Sequence, residues 1–425
     1  MLQVACNFVR SLRLRLVAVS TLVVLFGATA CSSSSGSDGA ASSSTTATST
    51  ATATTKSQAY TGTVKGFYQV PDPLPTGPHG TLIRYQPMAD YDVGGATTYR
   101  IMYLSESLAG DPIAVTGMAS VPTAKAPSQG RPMITISHGT TGIADECAPS
   151  KHPKSTEMSL VGAHLGTTFL IAHTDDEGLG TPGRHPYLVG ESEGRSAIDA
   201  ILAAGSLPDA DPGTKLAIAG YSQGGHGALW TSQVAKEWAP DLQVVGTFAG
   251  APASEIGVIL SAATKVKGFA MMVIAGIQAA YPDADVSKML TPKGIEVMNA
   301  VDKGCAGQTF AAVGAYEGDE IFVKDGGQSP EWQKLGAAQD AGTEKTNDAP
   351  TLLIHSNGDQ TVPTFFIDQV EKRMCANGQV VDRVDIDAGG HTEAAIPAYD
   401  QATTWIQDRF EPTPPPVTNS CDQSN

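Results

Sequence analysis

The stretch Lys215-Leu-Ala-Ile-Ala-Gly-Tyr-Ser-Gln-Gly-Gly-His-Gly-Ala-Leu-Trp-Thr-Ser-Gln-Val-Ala-Lys-Glu-Trp238 decides how this chain folds. Residues 215–219 are short and apolar and predict a buried strand. Residues 225–238 are rich in small side chains and predict a helix. Between them Gly220-Tyr221-Ser222-Gln223-Gly224 fits Gly-x-Ser-x-Gly, the mark of a strained strand-to-helix turn with a nucleophile at its apex. Side chains at the glycine positions would collide with the neighbouring strand or helix. Ser222 is thereby pushed outward over a helix N-terminus, which favours developing negative charge.

A second match, Gly190-Glu191-Ser192-Glu193-Gly194, tests how much the pattern alone is worth. It follows His185-Pro-Tyr-Leu-Val, a poor strand, and flanks its serine with two carboxylates that would oppose an alkoxide. We read residues 191–194 as the acidic first turn of a helix running to residue 204, and Ser222 as the nucleophile.

The partners of Ser222 follow in the order serine, acid, histidine. Residues 351–355 read as a strand, 356–358 as a turn, and Pro363 as a helix start. Asp359 then falls on a loop at the carboxyl edge of a parallel sheet, where ligands bind in open α/β folds. Residues 380–386 read as the next strand and deliver His391 on the Gly-containing loop after it. In this arrangement Asp359 orients His391, which takes the Ser222 proton and later returns it to the leaving group. Rival acids are Asp382 and Asp385, which alternate with apolar residues and are expected to face solvent, and Asp387, close to His391 in sequence.

A strand over residues 131–137 precedes His138-Gly139-Thr140-Thr141-Gly142, a turn suited to one oxyanion donor. The backbone N–H of Gln223, just after the nucleophile, supplies the other. Thr140 is the nominee on the first loop, with Gly139 and Thr141 left open beside it. His355 reads as a core residue and His226 as packed beneath the elbow helix. The remaining histidines share no ligand-like spacing and Cys-x-x-Cys is absent, so no metal and no cofactor is expected.

The 425-residue chain has ends that do not belong to its fold. Arg10, Arg13 and Arg15 precede an apolar run over 16–26 and Ala28-Thr29-Ala30-Cys31, the pattern of a signal peptide over 1–30. The same residues resemble a bacterial lipobox, though Ala28 stands where Leu is commoner. If Cys31 is lipidated, Cys147, Cys305, Cys375 and Cys421 remain and can pair; if the protein is instead fully secreted, one thiol is left over. More than one acyl chain would hold it stably on a membrane. Residues 31–57 are Ser/Thr/Ala-rich and read as a flexible tether, and 411–425 as a stiff Pro-rich tail. Formal charge is −16, and losing the three signal arginines takes it to −19, with no basic cluster. Nucleic acid is excluded as a partner on that ground.

Antiparallel strands are expected over 81–86, 98–106 and 113–121, followed by parallel strands over 133–137, 168–173, 216–220, 244–249, 351–355 and 380–386. Alternating helices make this α/β with a mostly parallel sheet. The hydrolase core takes residues 58–252 and 349–410. The interval 253–348 exceeds what a simple crossover needs and reads as an inserted, mainly helical cap. Its methionines (Met271, Met272, Met289, Met298) are expected to offer soft apolar surface.

Several runs at consistent spacing resemble the secretory lipase family of the yeast lipase A type and its actinobacterial relatives. They are His138-Gly-Thr-Thr-Gly-Ile-Ala-Asp-Glu-Cys-Ala-Pro-Ser150, Asp176-Glu-Gly-Leu-Gly-Thr-Pro-Gly183 with His185-Pro-Tyr187, the Gly-Tyr-Ser-Gln-Gly-Gly elbow, and Gly390-His-Thr-Glu-Ala-Ala395. The resemblance spans most of residues 65–410. It implies an α/β-hydrolase fold and a carboxylic ester hydrolase acting on acylglycerols, with Ser222, Asp359 and His391 in the matching positions. It also implies disulfides Cys147–Cys305 and Cys375–Cys421, where four cysteines by themselves allow three connectivities. The yeast members carry a different segment where this chain has His138-Gly139-Thr140. The expectation is an exported serine ester hydrolase, foremost a triacylglycerol lipase. The alternatives are an esterase for short acyl esters or polyesters and a non-catalytic lipid-binding lipoprotein.

Overall fold

A computed structural model of the chain describes residues 57–423 apart from 90, 92 and 345–347. The expected signal peptide, Cys31 and nearly all of the tether lie outside the described residues. The described residues open with β1 (Gln58–Ala59) and α1 (Val64–Phe67), followed by the meander β2 (Leu82–Pro87), β3 (Ala96–Glu106) and β4 (Pro112–Pro122). Then come β5 (Arg131–Ser137), α2 (Glu157–Leu165), β6 (Leu170–Thr174), α3 (Gly190–Ala204), β7 (Pro212–Tyr221), α4 (Gln223–Trp238) and β8 (Gln243–Gly250). Six α-helices follow among the described residues: α5 (Ile256–Ser261), α6 (Lys267–Ala280), α7 (Pro292–Val301), α8 (Ala306–Gly314), α9 (Gly318–Ile321) and α10 (Pro330–Ala337). The chain returns to the sheet through β9 (Thr351–Ser356), α11 (Thr364–Ala376), β10 (Val381–Ile386) and α12 (His391–Arg409).

The strands form one sheet in the order β1-β2-β3-β4-β6-β5-β7-β8-β9-β10. Pairing is antiparallel from β2 to β6 and parallel from β6 through to β10. The strand order reverses at β5, which has β6 on one side and β7 on the other. A crevice opens above such a reversal because the connecting loops diverge there.

From Leu216 onward strand β7 is buried and apolar up to Gly220, because both of its faces are covered there. Leu216 and Ile218 pack with Ala200, Ile201 and Ala204 of α3. Ala217 and Ala219 join the opposite cluster, with Val161 and Leu165 of α2 and Tyr399 and Ile406 of α12. The predicted strands are found with their ends shifted by a few residues; β1 and α1 were not anticipated.

Helices α5–α10 occupy the long connection between β8 and β9 and build a hydrophobic core of their own. Met271, Met272, Ile274, Met289, Met298 and Trp332 lie in it, and Ile143, Tyr187 and Leu188 of the sheet-containing body pack against it. The four methionines are therefore interior packing, each at most 4% exposed, and not the surface the sequence suggested. Several ties hold this helical segment to the body. Cys147 is bonded to Cys305, Ala306 donates its N–H to the Thr141 carbonyl at 2.8 Å, and the Arg184 guanidinium meets both Asp302 oxygens at 2.9 and 2.6 Å. At the other end of the sheet Cys375 is bonded to Cys421, and Ser420 donates to the Val381 carbonyl at 2.9 Å. The tail is thus pinned beside the start of β10.

Candidate active site

Ser222 stands between β7 and α4 with φ 63° and ψ −121°, a left-handed conformation that non-glycine residues adopt only under constraint. Its N–H donates to the Gly250 carbonyl at 2.9 Å, and its own carbonyl accepts from His226 and Ala253, each at 3.1 Å. The flanking glycines are required by contact. A Cβ on Gly220 would lie 1.9 Å from the Gly224 carbonyl oxygen, and one on Gly224 would lie 2.2 Å from that of Ser137. No rotamer relieves a clash between a Cβ and backbone.

Three chain-distant residues meet above this turn. His391 Nε2 is 2.8 Å from Ser222 Oγ, and His391 Nδ1 is 2.6 Å from Asp359 Oδ2. Asp359 is nearly inaccessible, and its other oxygen accepts the backbone N–H groups of Thr361 (2.8 Å) and Val362 (2.9 Å). Burial alone would raise the Asp359 pKa. The bonds from His391, Val362 and Thr361 outweigh it and hold the carboxyl below its ordinary value. Tyr221 donates to the His391 carbonyl at 2.8 Å, fixing the start of α12.

The rival acids lie elsewhere. Asp382 accepts from the Trp405 indole at 3.2 Å, Asp385 pairs with Arg383 at 3.1 Å, and Asp387 accepts from Asn357 at 2.8 Å. Ser192 is buried within α3 and donates to Glu177 at 2.6 Å, with no histidine on it. His355 is a core residue bonded to the Val362 carbonyl at 2.9 Å.

On the loop after β5, the Gly139 N–H donates to Glu157 Oε1 at 2.8 Å and is committed inside the fold. Thr140 comes next, its hydroxyl 2.7 Å from that of Tyr187. The loop rests on buried charge. His173 lies 3.1 Å from Glu157, whose pKa burial would raise; the His173 contact and the Gly139 N–H bring it down to about 2. Burial would depress the His138 pKa, but Asp176 at 3.3 Å lifts it to about 10. Sequence reasoning missed Glu157, Glu193 and Tyr187. No spacing links Glu157 to Gly139, whereas Glu193 stood in view within the second Gly-x-Ser-x-Gly.

Ser222 opens onto a largely apolar cavity of about 230 Å³. Tyr187 and Leu188 of the body, Ile259 and Ala262 of α5 and its end, Phe269 of α6, and Val362 line it. Both the hydrolase body and the helical segment therefore contribute walls. Val258 and Val266 at its edge are 42% and 37% exposed, so apolar surface reaches the rim beside the exposed Gln360 and Thr361.

A mostly parallel sheet with a serine on a strained turn between a central strand and a helix defines the α/β-hydrolase fold, which here carries a helical insertion before the penultimate strand. The solved structure of Candida antarctica lipase A superposes with a TM-score of 0.70 at 22% identity, covering 83% of this chain and 87% of that one. The family model for secretory lipase matches residues 151–418, and the chain belongs to that family. A secreted triacylglycerol lipase of Malassezia globosa is 23% identical over 378 residues, 81% of this chain and 80% of the relative. A probable inactive lipase of Mycobacterium tuberculosis is 26% identical over 200 residues, 44% of each chain.

Proposed function

We propose that this protein is an exported lipase that hydrolyses acylglycerol esters through Ser222, His391 and Asp359. Ser222 Oγ attacks the ester carbonyl carbon while His391 Nε2 takes its proton. The tetrahedral oxyanion collapses, the carbon–oxygen bond to the alcohol breaks, and His391 protonates the departing alkoxide. Water, deprotonated by the same imidazole, then attacks the acyl-enzyme and releases the acid with Ser222 restored. Asp359 holds the Nδ1–H tautomer and offsets the charge that His391 acquires.

The carrying observation is the hydrogen-bonded line Asp359–His391–Ser222 ending at an apolar cavity. Such a cavity favours an acyl chain over a peptide or a sugar, which would bury unpaired polar groups there. Thr140 and Gln223 are the proposed oxyanion donors, and commitment of the Gly139 N–H to Glu157 supports Thr140 on the first loop. Helices within 253–348 act as the cap over the acyl site. Cys31 is the proposed lipid anchor, and Cys31→Ser would then move the protein from the membrane to the soluble fraction. Relatives named as secreted agree with export.

The cavity volume gives a second reading some weight, an esterase for shorter acyl groups. The test is hydrolysis of p-nitrophenyl esters from acetate to palmitate, wild type beside Ser222→Ala. Loss of about 10⁶ in turnover on Ser222→Ala, with long-chain preference in the wild type, is the expected result. Activity confined to short chains makes it an esterase. An inert wild type refutes catalysis and leaves a lipid-binding protein on a hydrolase fold.

A further inference from the structure

The second Gly-x-Ser-x-Gly supplies a carboxylate where it supplies no nucleophile. Glu193 lies in the first turn of α3, 1% exposed, and its two oxygens divide between two residues of the elbow helix. Oε1 accepts from Gln223 Nε2 at 3.1 Å and from the Leu188 N–H at 3.3 Å. Oε2 faces His226 Nδ1 at 2.6 Å.

The surrounding donors and acceptors fix each group. His185 Nδ1 lies 2.8 Å from the Glu177 carbonyl and must carry its proton there, so His185 Nε2 is an acceptor, 3.2 Å from Gln223 Nε2. Both hydrogens of the Gln223 amide nitrogen thus have acceptors. Turning the amide over would set its oxygen against a carboxylate and a lone pair. His226 Nε2 lies 2.6 Å from the Gln339 carbonyl and must donate to it. A single proton then serves the 2.6 Å contact between His226 Nδ1 and Glu193, and the pair is neutral as a unit. Neutrality matters here, since a bare carboxylate beneath an oxyanion would oppose it.

The connection continues into the helical segment. The Gln339 carbonyl also accepts from the Trp230 indole at 3.1 Å, and Gln339 Oε1 accepts the Gly190 N–H at 3.2 Å. The start of α3, the first two turns of α4 and the end of the segment after α10 are held by one buried polar network.

We propose that Glu193 is a positioning residue for ester hydrolysis: it fixes the first turn of the elbow helix, and through the Gln223 side chain the Gln223 backbone N–H. This rests on the reading of that N–H as an oxyanion donor. At the first position of a helix the N–H has no intrahelical partner and is free for a ligand. Its worth depends on placement, because removing an oxyanion donor costs ~10²–10³ in turnover and a shift of about 1 Å can cost ~10². A carboxylate that only filled the core would affect stability without separating kcat from KM.

The experiment measures p-nitrophenyl butyrate hydrolysis and fluorophosphonate labelling for wild type, Glu193→Ala, Glu193→Gln, Gln223→Met and Ser222→Ala. Glu193→Ala should lower kcat about 10- to 100-fold with KM within about twofold, the range that misplacing one donor allows. Glu193→Gln should stay within about threefold of wild type, because its amide can accept from Gln223 and donate to a neutral His226. Gln223→Met keeps the backbone N–H and drops the amide. It should reproduce the alanine loss and add nothing to it in the double variant. Should Glu193→Ala not fold, Gln223→Met against wild type decides alone. The proposal is overturned by near-wild-type kcat in Gln223→Met, by a loss carried in KM, or by equal losses in Glu193→Gln and Glu193→Ala. Hydrolysis or labelling that survives in Ser222→Ala overturns the reading of the site itself, and the proposal with it.

Discussion

Replacing Asp359 by Asn should inactivate the enzyme while leaving the fold untouched, and the structure says why. Asp359 Oδ1 accepts two backbone N–H groups, from Thr361 and Val362, and Oδ2 faces His391 Nδ1 at 2.6 Å. In Asp359→Asn the amide oxygen must stay on the two backbone donors, because an NH₂ placed there would meet two N–H groups. The NH₂ therefore faces His391 Nδ1 and converts it to an acceptor. The imidazole proton moves to Nε2, which then donates to Ser222 Oγ where it should accept. The base is lost through a tautomer switch with every local bond still made. A switch of this kind is worth about 10⁴ in kcat. Stopped-flow or steady-state hydrolysis of p-nitrophenyl butyrate reads the loss, and thermal unfolding should place the variant within about 2 °C of wild type, as expected for a change well under 1 kcal/mol. A kcat within tenfold of wild type refutes the tautomer argument. A large fall in melting temperature would mean that Asp359 holds the loop and not the imidazole.

Three further outcomes follow from other parts of the molecule. Cys421→Ser opens a loop of 46 residues beside the start of β10, the end of that strand opposite His391; chemical denaturation should show about 2–4 kcal/mol lost, with kcat unchanged. Burial holds the His185 imidazole neutral, its pKa down at about 4 from 6.5. A depressed histidine stabilises the fold above its unfolded value and loses that contribution as pH falls, here between 6.5 and about 4. Unfolding free energies across that window should diverge between wild type and His185→Asn by an amount on the order of 3 kcal/mol. The comparison is needed because buried acids such as Asp175 and Glu177, raised by desolvation, act in the opposite direction. Ala262→Trp should fill much of the cavity of about 230 Å³. The kcat/KM ratio of decanoate to acetate esters should then fall by about 10², the worth of a few excluded methylenes.

Some of this was legible in the sequence because the chemistry is local. The elbow needs only a strand, two glycines and a serine in succession, so residues 215–238 announce it. The apolar runs 216–219 of β7 and 352–354 of β9 were equally plain, since strand centres covered on both faces carry few polar positions to blur them. Other features depend on residues far apart in the chain. Gly139 and Glu157 are joined across 18 positions, and Gln339 reaches His226 across 113, with no periodicity to betray either contact. The methionines of α6 and α7 were misjudged for a related reason. An apolar helix looks alike whether its neighbours are lipid, substrate or other helices, and here α5 and α8–α10 supply enough partners to bury it.

The two Gly-x-Ser-x-Gly runs show what a spacing can encode when its backbone changes. In the elbow, glycines four residues apart straddle a sharp turn and make room for Ser137 and for each other, and the serine between them is forced out at positive φ. In α3 the same four-residue interval is one helical turn, so Gly190 and Gly194 lie on a single face. That face meets the elbow helix. A Cβ on Gly190 would stand 2.1 Å from the Trp230 indole, and one on Gly194 would be 3.0 Å from the Trp230 backbone. The glycines there bring α3 against α4 closely enough for Glu193 to reach Gln223 and His226. Ser192, on the same turn, is left donating to Glu177 with no base beside it. One pattern exposes a serine and the other buries a carboxylate beneath it. The preceding residues decide between them, an apolar strand in the first case and His185-Pro-Tyr-Leu-Val in the second.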